Sequence, residues 1–262
     1  MRRKLILSLL ILYGLLVLYV VVTLAAGGRV PSVMVPVCTL TGFSFCLLHA
    51  GDRLGWKNAL LLLVFVFVVS LLFESLGVAT GLIYGPYHYT EKLGPKFLGL
   101  VPYLIAVAWF MMMYPSFVMA EWLIPSSWKG AGRLLSLAAI GGLVMMAWDV
   151  VMDPIMVAGN YWVWDVQGAF FGVPLQNYWG WWLTVFTTFV VYLLVTRNRP
   201  AAKEARFDRL AIIAFMITGY GNVISAMTGN LGGPALAGFF ALTPWVILAW
   251  IRLTKDNAGQ AV

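Results

Sequence analysis

At 262 residues, the chain is 62% hydrophobic, has a mean hydropathy of +0.90 and is charged at only 10% of its positions. That composition excludes a soluble globular domain and points to an integral membrane protein. The formal charge of +7 comes from seventeen Lys and Arg against ten Asp and Glu. With no long soluble basic face to carry it, this excess speaks against a nucleic-acid partner and reads as membrane topology plus attraction to anionic lipid head groups.

Runs of about 20 apolar residues cross a bilayer as helices. Such runs are read at 5–26, 32–50, 58–78, 98–124, 133–153, 177–196, 210–228 and 234–253. The predicted fold is an all-α polytopic transmembrane bundle of about eight spans, with seven as the alternative count, forming one membrane domain over 1–262. Lys and Arg concentrate in short cytoplasmic loops. With the N-terminus inside, Arg2, Arg3, Lys4, Arg53, Lys57, Lys129, Arg133, Arg197, Arg199, Lys203, Arg206, Arg209, Arg252 and Lys255 all fall on that side. Only Arg29, Lys92 and Lys96 fall outside. Both termini are therefore expected in the cytoplasm, and the protein is expected in the cell membrane. The first apolar run is longer than the 7–15 residues of a signal-peptide core and is taken as a retained span. Cys38 and Cys46 fit no metal or disulfide spacing and are read as packing residues.

Three connections interrupt the pattern. The basic stretch 197–209, with Pro200, Ala201 and Ala202, reads as a solvated cytoplasmic linker. The other two, ATGLIYGPYHYTEKLGPKF (79–97) and PIMVAGNYWVWDVQGAFFGVPLQ (154–176), are aromatic, glycine-rich and predicted outside. Each follows an acid near the end of an outward-running helix: Glu74 before the first, Asp149 and Asp153 before the second. The three acids then share one depth, and the two stretches resemble crude copies of one helix, loop and helix unit.

An acid in hydrocarbon costs a few kcal/mol and is rarely idle. Asp149 and Asp153, four apart, face the same way on a helix. Two acids in a low-dielectric site do not both ionise easily, so one is expected to hold a proton it can donate. Glu121, near the cytoplasmic end of the fourth span, is expected to snorkel or to pair with Lys129 or Arg133, outside the site.

The stretches FESLGVATGLIYGPYHYTEKLG, VPYLIAVAW and WDVVMDPIMVAGNYWVWDVQGAFFGVPLQNYWGW, in that order over about 70–182, resemble the membrane family of carotenoid biosynthesis proteins that includes bisanhydrobacterioruberin hydratase and the carotenoid 1,2-hydratases. The resemblance implies cofactor-free addition of water to the terminal isopropylidene double bond of an acyclic carotenoid. The expected partners are a lipid-soluble carotenoid, membrane lipids and other membrane enzymes of the pathway; no metal is expected.

The residues suit such chemistry. Hydrating a trisubstituted alkene needs an acid, shelter for a tertiary cation and an ordered water. A buried carboxyl supplies the acid, and each aromatic face stabilises a cation by roughly 0.5–2 kcal/mol. The candidate catalytic residues are Asp149 or Asp153 as acid, Glu74 as partner or water base, and His88 as a second candidate base. Tyr84, Tyr87, Tyr89, Trp148, Trp164 and Asn177 are candidate substrate contacts. Plainer roles compete with each: Asp153 before Pro154 as a helix stop, Glu74 as an interhelical hydrogen-bond partner, His88 as a solvent-facing side chain, and Asn177 as an N-cap. Trp162, Trp164, Trp179, Trp181 and Trp182 have an aromatic belt as their plainer reading. Two rival functions use the same residues. A magnesium-dependent prenyl transferase would use Asp149 and Asp153, and a proton-coupled transporter would use the intramembrane acids.

Overall fold

Hydrocarbon offers no water to a bare N–H or C=O, so each apolar run closes its own hydrogen bonds as a helix. A computed structural model describes residues 1–125, 127–198 and 203–259. Among them are eight helices long and apolar enough to span a membrane: α1 (Arg2–Ala25), α2 (Met34–Arg53), α3 (Trp56–Thr80), α4 (Tyr103–Leu123), α5 (Gly130–Ala158), α6 (Leu175–Val195), α7 (Ala205–Thr228) and α8 (Gly232–Gly259). Helix α4 is the axis of the bundle and is buried at every position from Trp109 to Trp122. It touches α2, α3, α5, α7 and α8. Helix α1 lies at the edge, with only Ile6, Leu10 and Tyr13 buried, and leaves Leu7, Ile11, Leu15, Leu18 and Val22 on its exposed apolar side.

One face of the bundle is held by charge. Arg2 and Arg3 meet Asp52 at the end of α2, and Arg3 reaches Glu204 at 2.8 Å. Just inside this face, Arg53 binds Glu121 at 2.6 Å and Asp208 at 2.7 Å, and Arg133 adds a second contact to Glu121 at 3.2 Å. Glu121 therefore pairs with Arg133, as one expectation held, and with Arg53. It is buried rather than snorkelling. The basic stretch 197–209 is also less open than expected. Its residues Ala205–Arg209 form the first turn of α7, with Phe207 stacked on His49 and Asp208 fully buried. Arg199, Pro200, Ala201 and Ala202 lie outside the described residues.

The opposite face carries the two aromatic connections. Four short strands form there: β1 (Tyr87–Tyr89), β2 (Lys96–Phe97), β3 (Val101–Pro102) and β4 (Trp162–Trp164). The β2–β3 ladder replaces the start of the span read from 98: Leu98 and Gly99 adopt positive φ and turn the chain, so α4 begins only at Tyr103. Helix α5 runs through Pro154 to Ala158, so Asp153 is not its terminus. The helix-stop reading of that residue does not hold.

Candidate active site at the strand-bearing face

Strand β1 pairs antiparallel with β4, setting Tyr87 opposite Trp164, His88 opposite Val163 and Tyr89 opposite Trp162. Side chains alternate along a strand, and directly opposed residues share a face. Tyr87, Tyr89, Trp162 and Trp164 therefore turn together into the bundle, and His88 turns out. Ring centroids lie 5.0 Å apart for Tyr87–Trp164 and 5.8 Å for Tyr89–Trp162.

Each acid-bearing helix feeds the strand that follows it. Glu74, six residues before the end of α3, accepts hydrogen bonds from Tyr87 Oη, from Tyr89 Oη at 2.8 Å and from Trp109 Nε1 at 3.0 Å. Asp153, five residues before the end of α5, accepts from Trp162 Nε1 at 3.0 Å, Trp164 Nε1 at 3.2 Å and Asn177 Nδ2 at 2.8 Å. The two halves thus follow one plan. An acid near a helix end takes two donors from alternate residues of its own strand and a third from the next helix. An antiparallel pair of strands joins the halves, which is the arrangement expected of two copies of one unit.

The bridging residue is Asn177. Its amide nitrogen donates to Asp153 and, also at 2.8 Å, to Asp149 Oδ2. Pro174, not Asn177, occupies the N-cap of α6, so the capping reading gives way to a link between two carboxyl groups. The other oxygen of Asp149 is buried and, among the described residues, has no hydrogen-bond partner. A carboxylate offers about four lone-pair sites. Three are filled on Glu74, three on Asp153 and one on Asp149, so each acid keeps room for a proton or a water.

A cavity of about 370 Å³ lies against this array, within the range of small-molecule sites. Its walls include Glu74, Asp153, Asn177, Tyr84, Tyr87 and Tyr89, with the rings of Trp109, Trp148, Trp162, Trp164 and Trp181. Trp109 and Trp181 stack with centroids 4.1 Å apart, and Trp148 meets Trp181 edge-on. From there the cavity extends to the outer halves of α1, α2 and α7, where Val17, Val20, Leu24, Met34 and Val35 line it. The lining is nearly all apolar and aromatic apart from the two carboxyl groups and a few neutral polar side chains.

Tyr84 fits because its neighbours lack side chains. A Cβ on Gly77 would come within 2.6 Å of its ring, and one on Gly180 within 2.5 Å. The ring slides between α3 and α6, and its hydroxyl meets Thr184 Oγ1 at 2.7 Å. Burial holds the Tyr84, Tyr87 and Tyr89 phenols well above the ordinary tyrosine range, with the nearby Glu74 charge adding to it. The hydroxyls that face Glu74 therefore remain donors across the working pH.

Of the candidate residues, Glu74, Asp153, Tyr84, Tyr87, Tyr89, Trp148, Trp164 and Asn177 line this one cavity, and Asp149 stands behind it, joined through Asn177. His88 does not join them. Its side chain is 57% exposed and pairs with Asp165 at 2.8 Å on the outer surface. Among the five clustered tryptophans, Trp162, Trp164 and Trp181 belong to the cavity. Trp179 is exposed and stacks on Trp182 against the lipid-facing side, as a belt would. Sequence reasoning missed Trp109, which carries no local signal: it lies in an apolar run, 35 residues from the acid it serves.

Comparison with known proteins identifies the family. The family described as carotenoid biosynthesis protein matches residues 34–244, most of the chain. A bisanhydrobacterioruberin hydratase from Haloarcula japonica is 34% identical over 128 residues, which cover 49% of this chain and 42% of that protein. The match therefore spans less than half of that relative's length. No solved structure matches the chain. With a family match that takes in both acid-bearing helices whole and all six donors to Glu74 and Asp153, this integral membrane chain belongs to the carotenoid biosynthesis protein family.

Proposed function

We propose that the protein is a cofactor-independent hydratase of the cell membrane that adds water to the terminal isopropylidene double bond of an acyclic carotenoid. The observation that carries this reading is the meeting of two carboxyl groups, Glu74 and Asp153, in one aromatic-walled cavity inside a membrane bundle. Its family and the name of its Haloarcula relative point the same way.

In this mechanism the end group of the polyene enters sideways from the bilayer and lies against Trp109, Trp148 and Trp181. Asp149 and Asp153, tied to one amide, share a proton because two adjacent buried charges repel. Asp153 delivers it to the less substituted alkene carbon. The π electrons form the new C–H bond and leave a tertiary cation, which the aromatic faces shelter. Water attacks that carbon, and its surplus proton passes to the open lone pair of Glu74. Return of that proton to the aspartate pair closes the cycle, so alkene plus water gives a tertiary alcohol with no net proton change.

A transferase using a metal on Asp149 and Asp153 is less well supported, since the Asn177 amide already stands between the two carboxyl groups. Expression in cells that make lycopene or a longer acyclic carotenoid tests the proposal. The expected result is a product heavier by one water; unchanged pigment in cells that contain folded protein overturns it.

A further inference from the structure

The cavity has a second polar wall that the mechanism above leaves unused. On α7, Thr218, Gly221, Asn222 and Ser225 all line it, and their spacing of three and four places them on one face of the helix. Thr218 is satisfied within the protein, by Tyr13 Oη at 2.8 Å and by the Ala214 carbonyl at 2.9 Å. Asn222 and Ser225 are different: among the described residues, neither side chain has a hydrogen-bond partner within the protein. Both residues are only partly buried and line the cavity, so their polar atoms are open to a partner from it. Depth supports this. Asn222 lies six residues before the end of α7, as Glu74 lies six before the end of α3 and Asp153 five before the end of α5. All three helices run toward the strand-bearing face, so the amide stands at the level of the two acids.

The wall beside it, on the helix packed against α7, is of the opposite kind. Val17, Val20 and Leu24 on α1 and Val30, Met34 and Val35 at the start of α2 give the polyene an apolar surface. We propose that Asn222 and Ser225 are positioning residues that lead water from the strand-bearing face into the cavity and hold it at the level of Glu74, beside the apolar wall that takes the polyene. The inference rests on the hydratase reading and adds to it how the two immiscible reactants reach one cation by separate walls. A neutral amide and a hydroxyl suit the task, since each can both donate to and accept from water without competing for the proton.

Water supply and alkene protonation are separable in deuterium oxide. Protonation then adds deuterium to the less substituted carbon. If no water captures the cation, loss of hydrogen from that carbon returns the alkene with deuterium in place. In Asn222→Leu, hydration is expected to fall about tenfold or more, the equivalent of one lost hydrogen bond to the reacting water, while deuterium in the recovered carotenoid persists, so the ratio of exchange to hydration rises. Asn222→Ser is expected to restore most of the hydration. Ser225→Val is read in parallel and is expected to shift the ratio the same way, including where Asn222→Leu fails to accumulate. Hydration and exchange falling together in a folded variant would mark a substrate contact or a structural role and overturn the proposal, as would unchanged hydration in both variants. Wild-type protein that neither hydrates nor exchanges the carotenoid would instead remove the hydratase reading on which it rests.

Discussion

Replacing Glu74 by Gln separates chemistry from packing, because the side chain keeps its shape, loses its capacity to take a proton and exchanges one acceptor for a donor. Three donors converge on the two oxygens of Glu74. If the Gln oxygen takes the place of Oε2, both tyrosines keep their acceptor, and the new NH₂ faces the Trp109 indole N–H, donor against donor, where Oε1 now lies at 3.0 Å. If the amide is turned, Trp109 keeps its acceptor and the two hydroxyls must rotate to accept instead. Either way about one group is left unsatisfied, a cost of about 1–3 kcal/mol in stability. Loss of the water base costs far more in rate, typically 10²–10⁴-fold. The expected outcome is a protein that inserts and melts close to wild type yet yields little hydrated carotenoid, measured by liquid chromatography with mass detection against the amount of protein in the membrane. Turnover equal to wild type in Glu74→Gln would refute the assignment of that carboxylate as proton acceptor and leave it a helix-packing residue.

Other consequences follow from the same contacts. Tyr87→Phe and Tyr89→Phe each remove one hydrogen bond to Glu74, worth about 1.5–3 kcal/mol if that group is charged, so each is expected to lower stability by about that amount; melting like wild type in both would show that the hydroxyls do not hold Glu74. Because burial holds those two phenols well above the ordinary range, they stay neutral through the pH where free tyrosine ionises, about 10; difference absorbance at 295 nm in a Tyr87→Phe/Tyr89→Phe pair should therefore lose no tyrosinate signal relative to wild type at that pH. His88→Ala should leave turnover unchanged, since an exposed pair such as His88–Asp165 contributes at most about 1 kcal/mol. At the charged face, Arg53→Ala leaves Glu121 and Asp208 buried without their shared partner and is expected to cost about 3–5 kcal/mol, seen as loss of folded protein from the membrane. Arg53→Lys should rescue little, because one ammonium cannot reproduce the three guanidinium contacts.

Much of the bundle was legible because hydrocarbon imposes a simple rule: a long apolar run must be a helix. All eight runs correspond to helices, and two of the boundary differences have a local cause. Helix α4 begins late because Leu98 and Gly99 turn the chain through left-handed conformations, and α7 begins early because Phe207 and Asp208 have buried partners across the bundle. The common depth of Glu74 and Asp153 could be read from helix direction alone. The pairing of β1 with β4 could not, since two three-residue strands in loops more than seventy positions apart carry little periodicity of their own. That pairing decides which aromatics serve the acids. It turns Tyr87 and Tyr89 inward and sends His88, the second candidate base, to the surface. Asn177 looked like a cap because it opens a helix; only its distance to two carboxyl groups shows what it binds.

The central claim is that a carboxyl proton and a water molecule are added across one alkene. Membranes containing the protein, supplied with an acyclic carotenoid in ¹⁸O-labelled water under air, test it most directly. The account predicts a product with one ¹⁸O and one new C–H bond drawn from solvent, lost in Asp153→Asn. A product whose oxygen comes from O₂, or a carotenoid recovered unchanged by protein shown to be folded, would contradict it.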